Sequence, residues 1–127
     1  MGGDSRRFSA VATSVLVVAL AVAACGLTSA AKPPSSSETA SIAAACQQVA
    51  AALADGPDPG ADPVGYALAQ IKPLRAIQTS DEPLRSAIVG LASACQSFYD
   101  DNGTKAATAL VTSASNRLDK FCPGATS

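Results

Sequence analysis

The chain has 127 residues and a formal net charge of −1, and it contains no histidine and no tryptophan. This length supports a single domain, and the near-zero charge supplies no field that would attract DNA or RNA, so we expect no nucleic-acid partner. Without histidine the chain lacks the commonest general base and the commonest protein metal ligand, which argues against an enzyme, a metal site or a bound cofactor.

The composition also indicates the fold class. Hydrophobic residues make up 48% of the chain, whereas aromatic residues make up only 4%. A core built from Ala, Val, Ile and Leu suits closely packed helices rather than a sheet, which favours β-branched and aromatic residues. We therefore predict an all-α protein.

The N-terminal region has the layout of an export signal. Arg6 and Arg7 are followed by a mostly apolar run from Phe8 to Ala24, which spans 17 residues, whereas a membrane-spanning helix needs about 20. Val22-Ala23-Ala24 then places one aliphatic and two small residues before Cys25. This order is typical of a cleaved signal peptide, here residues 1–24, although an uncleaved signal anchor is the alternative.

The segment from Val22 to Cys25 resembles the lipobox of bacterial lipoproteins. The resemblance implies that Cys25 becomes the new N-terminus and carries a diacylglyceryl thioether, usually with a further amide-linked acyl chain. Because two or more acyl chains hold a protein stably on a bilayer, it also implies anchoring at the outer face of the cell membrane. Residues 25–38 contain Pro33-Pro34 and a run of serines, and we expect them to form a flexible tether.

The first two helices are predicted from apolar spacing. Helix 1, residues 39–54, has four residues on one face, and Gly56-Pro57 ends it. Helix 2 begins after the N-cap Asp62, with Pro63 in its first turn, and Pro73 predicts a kink or an early end near residue 72. The predicted inward residues are Ile42, Cys46, Val49 and Leu53 in helix 1, and Val64, Leu68, Ile71 and Ile77 in helix 2.

Two further helices complete the predicted bundle. Helix 3 begins in the segment 79–83 with a capping residue and ends at 100–103, where Asn or Gly can adopt the left-handed conformation. Helix 4 spans about 105–121. The result is a small antiparallel four-helix bundle over residues 39–122, followed by a disordered tail, residues 123–127. The predicted inward residues are Leu84, Ile88, Leu91, Cys95 and Phe98 in helix 3, and Ala107, Leu110, Val111, Ala114, Leu118 and Phe121 in helix 4.

Three cysteines remain besides Cys25, and in an exported protein an odd number predicts one disulfide and one free thiol. Helices 1 and 4 are neighbours in such a bundle, which favours Cys46–Cys122. The rise of about 1.5 Å per residue argues against this pair, because Cys46 lies about two turns into helix 1 whereas Cys122 follows the end of helix 4. We favour Cys46–Cys122, with Cys95 as a buried free thiol; the alternatives are Cys46–Cys95 and no bond.

Charged residues are predicted to gather at the two ends of the bundle. Five aspartates meet at the end formed by the first and third loops, but their spacing differs from that of a calcium-binding loop, so we expect caps and turns there. At the opposite end we expect local pairs such as Asp81 with Arg85, the alternative being contact with anionic headgroups. The aspartates are Asp55, Asp58, Asp62, Asp100 and Asp101, and the cations of the opposite end are Lys72, Arg75, Arg85, Arg117 and Lys120.

The alanine-rich helices and the Cys122-Pro123-Gly124 ending are similar to those of small helical lipoproteins of actinobacteria, particularly mycobacteria. This resemblance implies an envelope lipoprotein with a non-catalytic helical module that has a structural or protein-interaction role and an envelope protein as partner. A carrier of a small apolar ligand or lipid within the bundle is the alternative. An enzyme is not expected, because the sequence shows no nucleophile with a base at a known spacing.

Overall fold

The computed structural model describes residues 36 to 127, which fold into four α-helices. These are α1 (Ser36–Ala54), α2 (Pro63–Ala76), α3 (Glu82–Asp100) and α4 (Lys105–Leu118). No strand occurs within this range, so the predicted all-α helical bundle is confirmed. The predicted signal peptide and the predicted lipidation site, Cys25, lie outside the described residues.

Side-chain caps fix where three of the helices begin. The carboxylates of Asp62 and Asp81 and the hydroxyl of Thr104 each accept a hydrogen bond from a backbone N–H in the first turn that follows. Such caps satisfy amide groups that have no partner inside the helix. At the other end of α3, Asn102 and Gly103 both adopt positive φ, 49° and 73°, as the sequence predicted for this stop.

Helix α3 lies at the centre of the bundle and packs against both α2 and α4. A hydrogen bond of 3.3 Å from the guanidinium of Arg117 to the hydroxyl of Ser86 joins the end of α4 to the start of α3, as antiparallel packing requires. All four helices contribute to the core. Its largest fully buried apolar side chains are Val49 of α1, Leu74 of α2, Leu84, Ile88 and Leu91 of α3, and Leu118 of α4.

Two residues predicted to face the core are exposed instead. Leu68 is 46% exposed and Leu110 is 53% exposed. In α2 the face that packs on α3 is formed by Ala67, Ile71 and Leu74, which step by four and three residues. Leu68 follows Ala67 by one position, about 100° around the helix, and so it points away from α3.

Helix α2 also runs past the point where an early end was predicted. It continues through Pro73 to Ala76. Proline removes its own hydrogen bond to the carbonyl of Ala69, but the loss occurs near the end of the helix. Leu74, which is completely buried, then holds the last turn against the core.

The two outer boundaries of the bundle differ from the predicted ones. Helix α1 begins at Ser36, within the predicted tether, and α4 ends at Leu118 instead of residue 121. Turns follow α4 as far as Thr126, and Ala125 packs against the core. Residues 123–127 were predicted to be disordered; the structure gives them turns and, at Ala125, a contact with the core. Among residues 36–127, no helix has the length and apolar character needed to cross a bilayer.

Candidate functional site

A disulfide joins Cys46 of α1 to Cys122, with the two Cα atoms 5.3 Å apart. This is the pair that the sequence favoured, and it excludes Cys46–Cys95. Cys95 of α3 is a buried free thiol, which also agrees with the prediction. The bond matters because α1 makes few contacts with α2 and buries only three of its side chains fully, Ala45, Val49 and Ala52.

The chain after α4 turns back towards α1. The backbone N–H groups of Phe121 and Cys122 both donate to the carbonyl of Leu118, at 2.9 Å each. Gly124 has a φ of +78°, which a residue with a side chain rarely adopts, and the N–H of Ala125 donates to the carbonyl of Cys122 at 3.1 Å. We call residues 119–127 the C-terminal segment. The disulfide joins this segment to α1, and residues of both border one shallow groove around the bond.

A half-enclosed cavity of about 330 Å³ lies between the helices and the C-terminal segment. Two of the side chains lining it, Leu91 and Cys95, belong to the buried core, whereas Ser127 is exposed. The cavity therefore extends from the core towards the surface at the C-terminal segment. Its lining consists of Ala50, Leu53 and Ala54 of α1, Tyr66 of α2, Leu91 and Cys95 of α3, Val111 and Ser115 of α4, and Gly124, Ala125, Thr126 and Ser127.

Two ionisable side chains line this cavity, Cys95 and Tyr66, and both have raised pKa values. Burial raises the pKa of the Cys95 thiol, so the thiol stays protonated and is a poor nucleophile at neutral pH. Burial, and secondly the neighbouring Cys95, raise the pKa of Tyr66. The Tyr66 hydroxyl donates to the carbonyl of Leu53 at 2.7 Å, which ties α2 to the last turn of α1.

Three of the five aspartates predicted at the end formed by the first and third loops, Asp55, Asp58 and Asp62, act in turns and caps as expected. Asp55 accepts a hydrogen bond from the N–H of the next residue at 3.0 Å, Asp58 accepts from Gly60 at 2.7 Å, and Asp62 accepts from Gly65 at 2.8 Å. Asp100 accepts from the side chain of Gln96 at 2.9 Å. No group of three or more Cys, Asp or Glu side chains in residues 36–127 is arranged to hold a metal ion.

At the opposite end of the bundle, where cations were predicted to gather, one ion pair differs from the predicted one. Arg85 forms an ion pair with Glu82, three residues before it, and not with Asp81. Asp81 instead caps α3, where its carboxylate accepts a hydrogen bond of 2.7 Å from the N–H of Leu84. The cap points the Asp81 carboxylate at the helix end and so removes it from pairing with Arg85.

One buried polar residue was missed by the sequence analysis. Gln70 of α2 is completely buried, and its side-chain N–H donates to the carbonyl of Asp55 at 2.6 Å. This bond fixes the loop after α1 on α2. The spacing in the sequence could have indicated this burial, because Gln70 lies three residues from Ala67 and four from Leu74. It therefore shares their helix face, whereas the prediction had placed Leu68 on the inward face.

Comparisons of the chain with models of protein families, with curated protein sequences and with solved structures found no match. The interpretation of the site therefore depends on its own geometry and chemistry.

Proposed function

We propose that this protein is an exported lipoprotein, anchored through Cys25 at the outer face of the cell membrane, whose helical module has a non-catalytic structural or protein-interaction role. The observation that carries the proposal is the disulfide between Cys46 and Cys122. Disulfides persist in exported proteins and are rare in the reducing cytoplasm. The bond therefore supports the same location as the lipobox-like segment before Cys25, and the two features are independent of each other.

The chemistry of the described residues supports a non-catalytic role. Asp55, Asp58 and Asp62 are engaged in their own turns or caps, and the protonated, buried thiol of Cys95 is a poor nucleophile. Four large apolar side chains are exposed on the helices, but single exposed apolar residues are common on soluble proteins and do not by themselves indicate a partner. These side chains are Leu68, Val89, Tyr99 and Leu110.

Fractionation of expressing cells tests the anchor. We expect the protein in the membrane fraction, with acyl mass on a mature N-terminal peptide that begins at Cys25. Cys25→Ala should release it or leave it unprocessed, whereas the matched control Cys95→Ala should behave like the original chain. Raised salt should not extract the protein, because acyl chains and not charges hold it. A chain that keeps Met1, or that carries no acyl group on Cys25, would exclude the anchor.

The structure favours a second candidate, a carrier of a small apolar ligand. The observation behind it is the cavity beside Cys95, whose volume of about 330 Å³ lies at the lower end of the range of small-molecule sites. A carrier needs such a space for its ligand, and a core without any cavity would have excluded this role. Crosslinking on intact cells distinguishes the two roles, since an interaction module yields a defined protein adduct whereas a carrier yields a small molecule on extraction.

A further inference from the structure

We propose that the cavity between α1, α4 and the C-terminal segment binds a small neutral molecule of about ten carbon atoms that combines apolar surface with a hydrogen-bonding group. This inference rests on the carrier role proposed above and names its ligand class. It is independent of the lipid anchor on Cys25.

The cavity exists because the C-terminal segment fills only part of the space beside α1. The α1 residues that line it are small at two of three positions, Ala50 and Ala54, and Gly124 and Ala125 line it from the C-terminal segment. The disulfide holds this segment against α1. Side chains this small leave a space that the packing of α2 and α4 on α3 does not close.

The lining indicates a neutral ligand. Leu53, Leu91 and Val111 supply apolar surface, and the lining contains no Lys, Arg, Asp or Glu side chain. A carboxylate placed there would be partly dehydrated and would find no cationic side chain to pair with, which is unfavourable. The hydroxyls of Ser115, Thr126 and Ser127 can donate to or accept from one polar group, such as an alcohol.

The volume limits the size of the ligand. A cavity of about 150 Å³ lined by apolar side chains binds benzene, and this cavity is about twice as large. Its capacity therefore corresponds to about ten to twelve carbon atoms, as in a bicyclic aromatic compound or a medium-length alkyl chain, and it is too small for a whole phospholipid.

Cys95 provides a readout, because it lines the cavity and is the free thiol of the bundle. In the full-length chain carrying Cys25→Ala, Cys95 is the one cysteine outside the disulfide, so its alkylation by neutral N-ethylmaleimide can be followed by intact mass. We use 1-octanol as the probe and octanoate as its charged counterpart of equal chain length. At ten times its dissociation constant, 1-octanol should slow alkylation about tenfold by mass action, whereas octanoate at the same concentration should have little effect.

Two variants on neighbouring positions of α4 separate filling of the cavity from other effects. Val111→Phe fills the cavity and should abolish protection by 1-octanol, whereas Leu110→Phe, at a residue that is 53% exposed, should keep it. Ser115→Leu is a second filling variant, used if circular dichroism shows that Val111→Phe does not fold. The methyl NMR signals of Leu91 and Val111 should shift saturably with 1-octanol in the Cys25→Ala chain.

Three results would overturn the proposal: no saturable shift of these methyl signals, equal protection of Cys95 by octanoate and 1-octanol, or full protection in a folded filling variant. None of them bears on the lipid anchor, because Cys25 is absent from the protein used. Failure of the ligand site and failure of the anchor are thus separate outcomes.

Discussion

Replacing Cys46 and Cys122 together by alanine should weaken α1 far more than the other helices. The disulfide closes a loop with a sequence separation of 76 residues, and loop-closure entropy assigns such a bond about 4.5 kcal/mol of the free energy of unfolding. Noncovalent contacts of α1 offer little in its place, since its fully buried side chains are Ala45, Val49 and Ala52.

Two measurements check this prediction. Urea unfolding of the double variant should show a free energy of unfolding lower by about 3 to 5 kcal/mol. Amide hydrogen exchange should show faster exchange in α1 and the C-terminal segment than in α3, because without the crosslink these two segments can separate while α3 stays folded.

Cys95→Ala serves as the control, because it removes a cysteine of the core without removing the disulfide. Cys95→Ala should lower the free energy of unfolding less than the double variant does, and it should not raise the exchange rates of α1 more than those of the other helices. The reasoning would be refuted by a double variant that loses less than about 1 kcal/mol, or by one whose exchange rates rise equally in all four helices.

Three further predictions follow from burial, capping and titration. Leu74→Ala should lower the free energy of unfolding by about 3 kcal/mol, because Leu74 is completely buried, whereas Leu68→Ala should change it by about 0.5 kcal/mol or less; equal effects in urea unfolding would contradict the assigned face of α2. Asp81→Ala should cost about 1 kcal/mol through loss of the α3 cap, measurable as a lower thermal midpoint, and Asp81→Asn should restore most of it. Burial raises the pKa of Cys95 in the folded state, so the unfolded state releases its proton first and stability should fall as the pH rises above about 8.5; Cys95→Ala should make this fall shallower.

The sequence was most informative where one physical cause acted alone. Asp62 caps α2 as predicted, since a short carboxylate before a helix has a strong local preference for the free amide groups. The same preference makes Asp81 the cap of α3, where a capping residue was predicted in the segment 79–83 without being named. Helix α3 was also predicted well, with Leu84, Ile88 and Leu91 buried, because it packs on two sides and has the clearest apolar stripe of the four helices.

The inward faces of α2 and α4 were harder to predict because their apolar residues are not confined to one face. Leu68 and Leu110 are as hydrophobic as Leu74, yet the face of each helix is chosen by which residues fit closely against α3. In α2 the small Ala67 and the hydrogen-bonding Gln70 lie on that face. Hydrophobicity alone therefore does not show that Leu74 is buried and Leu68 exposed. The cavity beside α1 could not be predicted from the sequence, because it forms where small residues of distant segments meet.

The choice of disulfide partner depended on two arguments that conflicted until the end of α4 was known. The predicted adjacency of helices 1 and 4 favoured Cys122, whereas height along the bundle argued against it. The conflict arose because α4 was predicted to continue to residue 121, which would place Cys122 directly at the end of that helix. In the structure α4 ends at Leu118, and hydrogen bonds from Phe121 and Cys122 to the carbonyl of Leu118 turn the chain. The C-terminal segment thereby brings Cys122 to Cys46, and the same turn places Gly124 and Ala125 along the proposed ligand site.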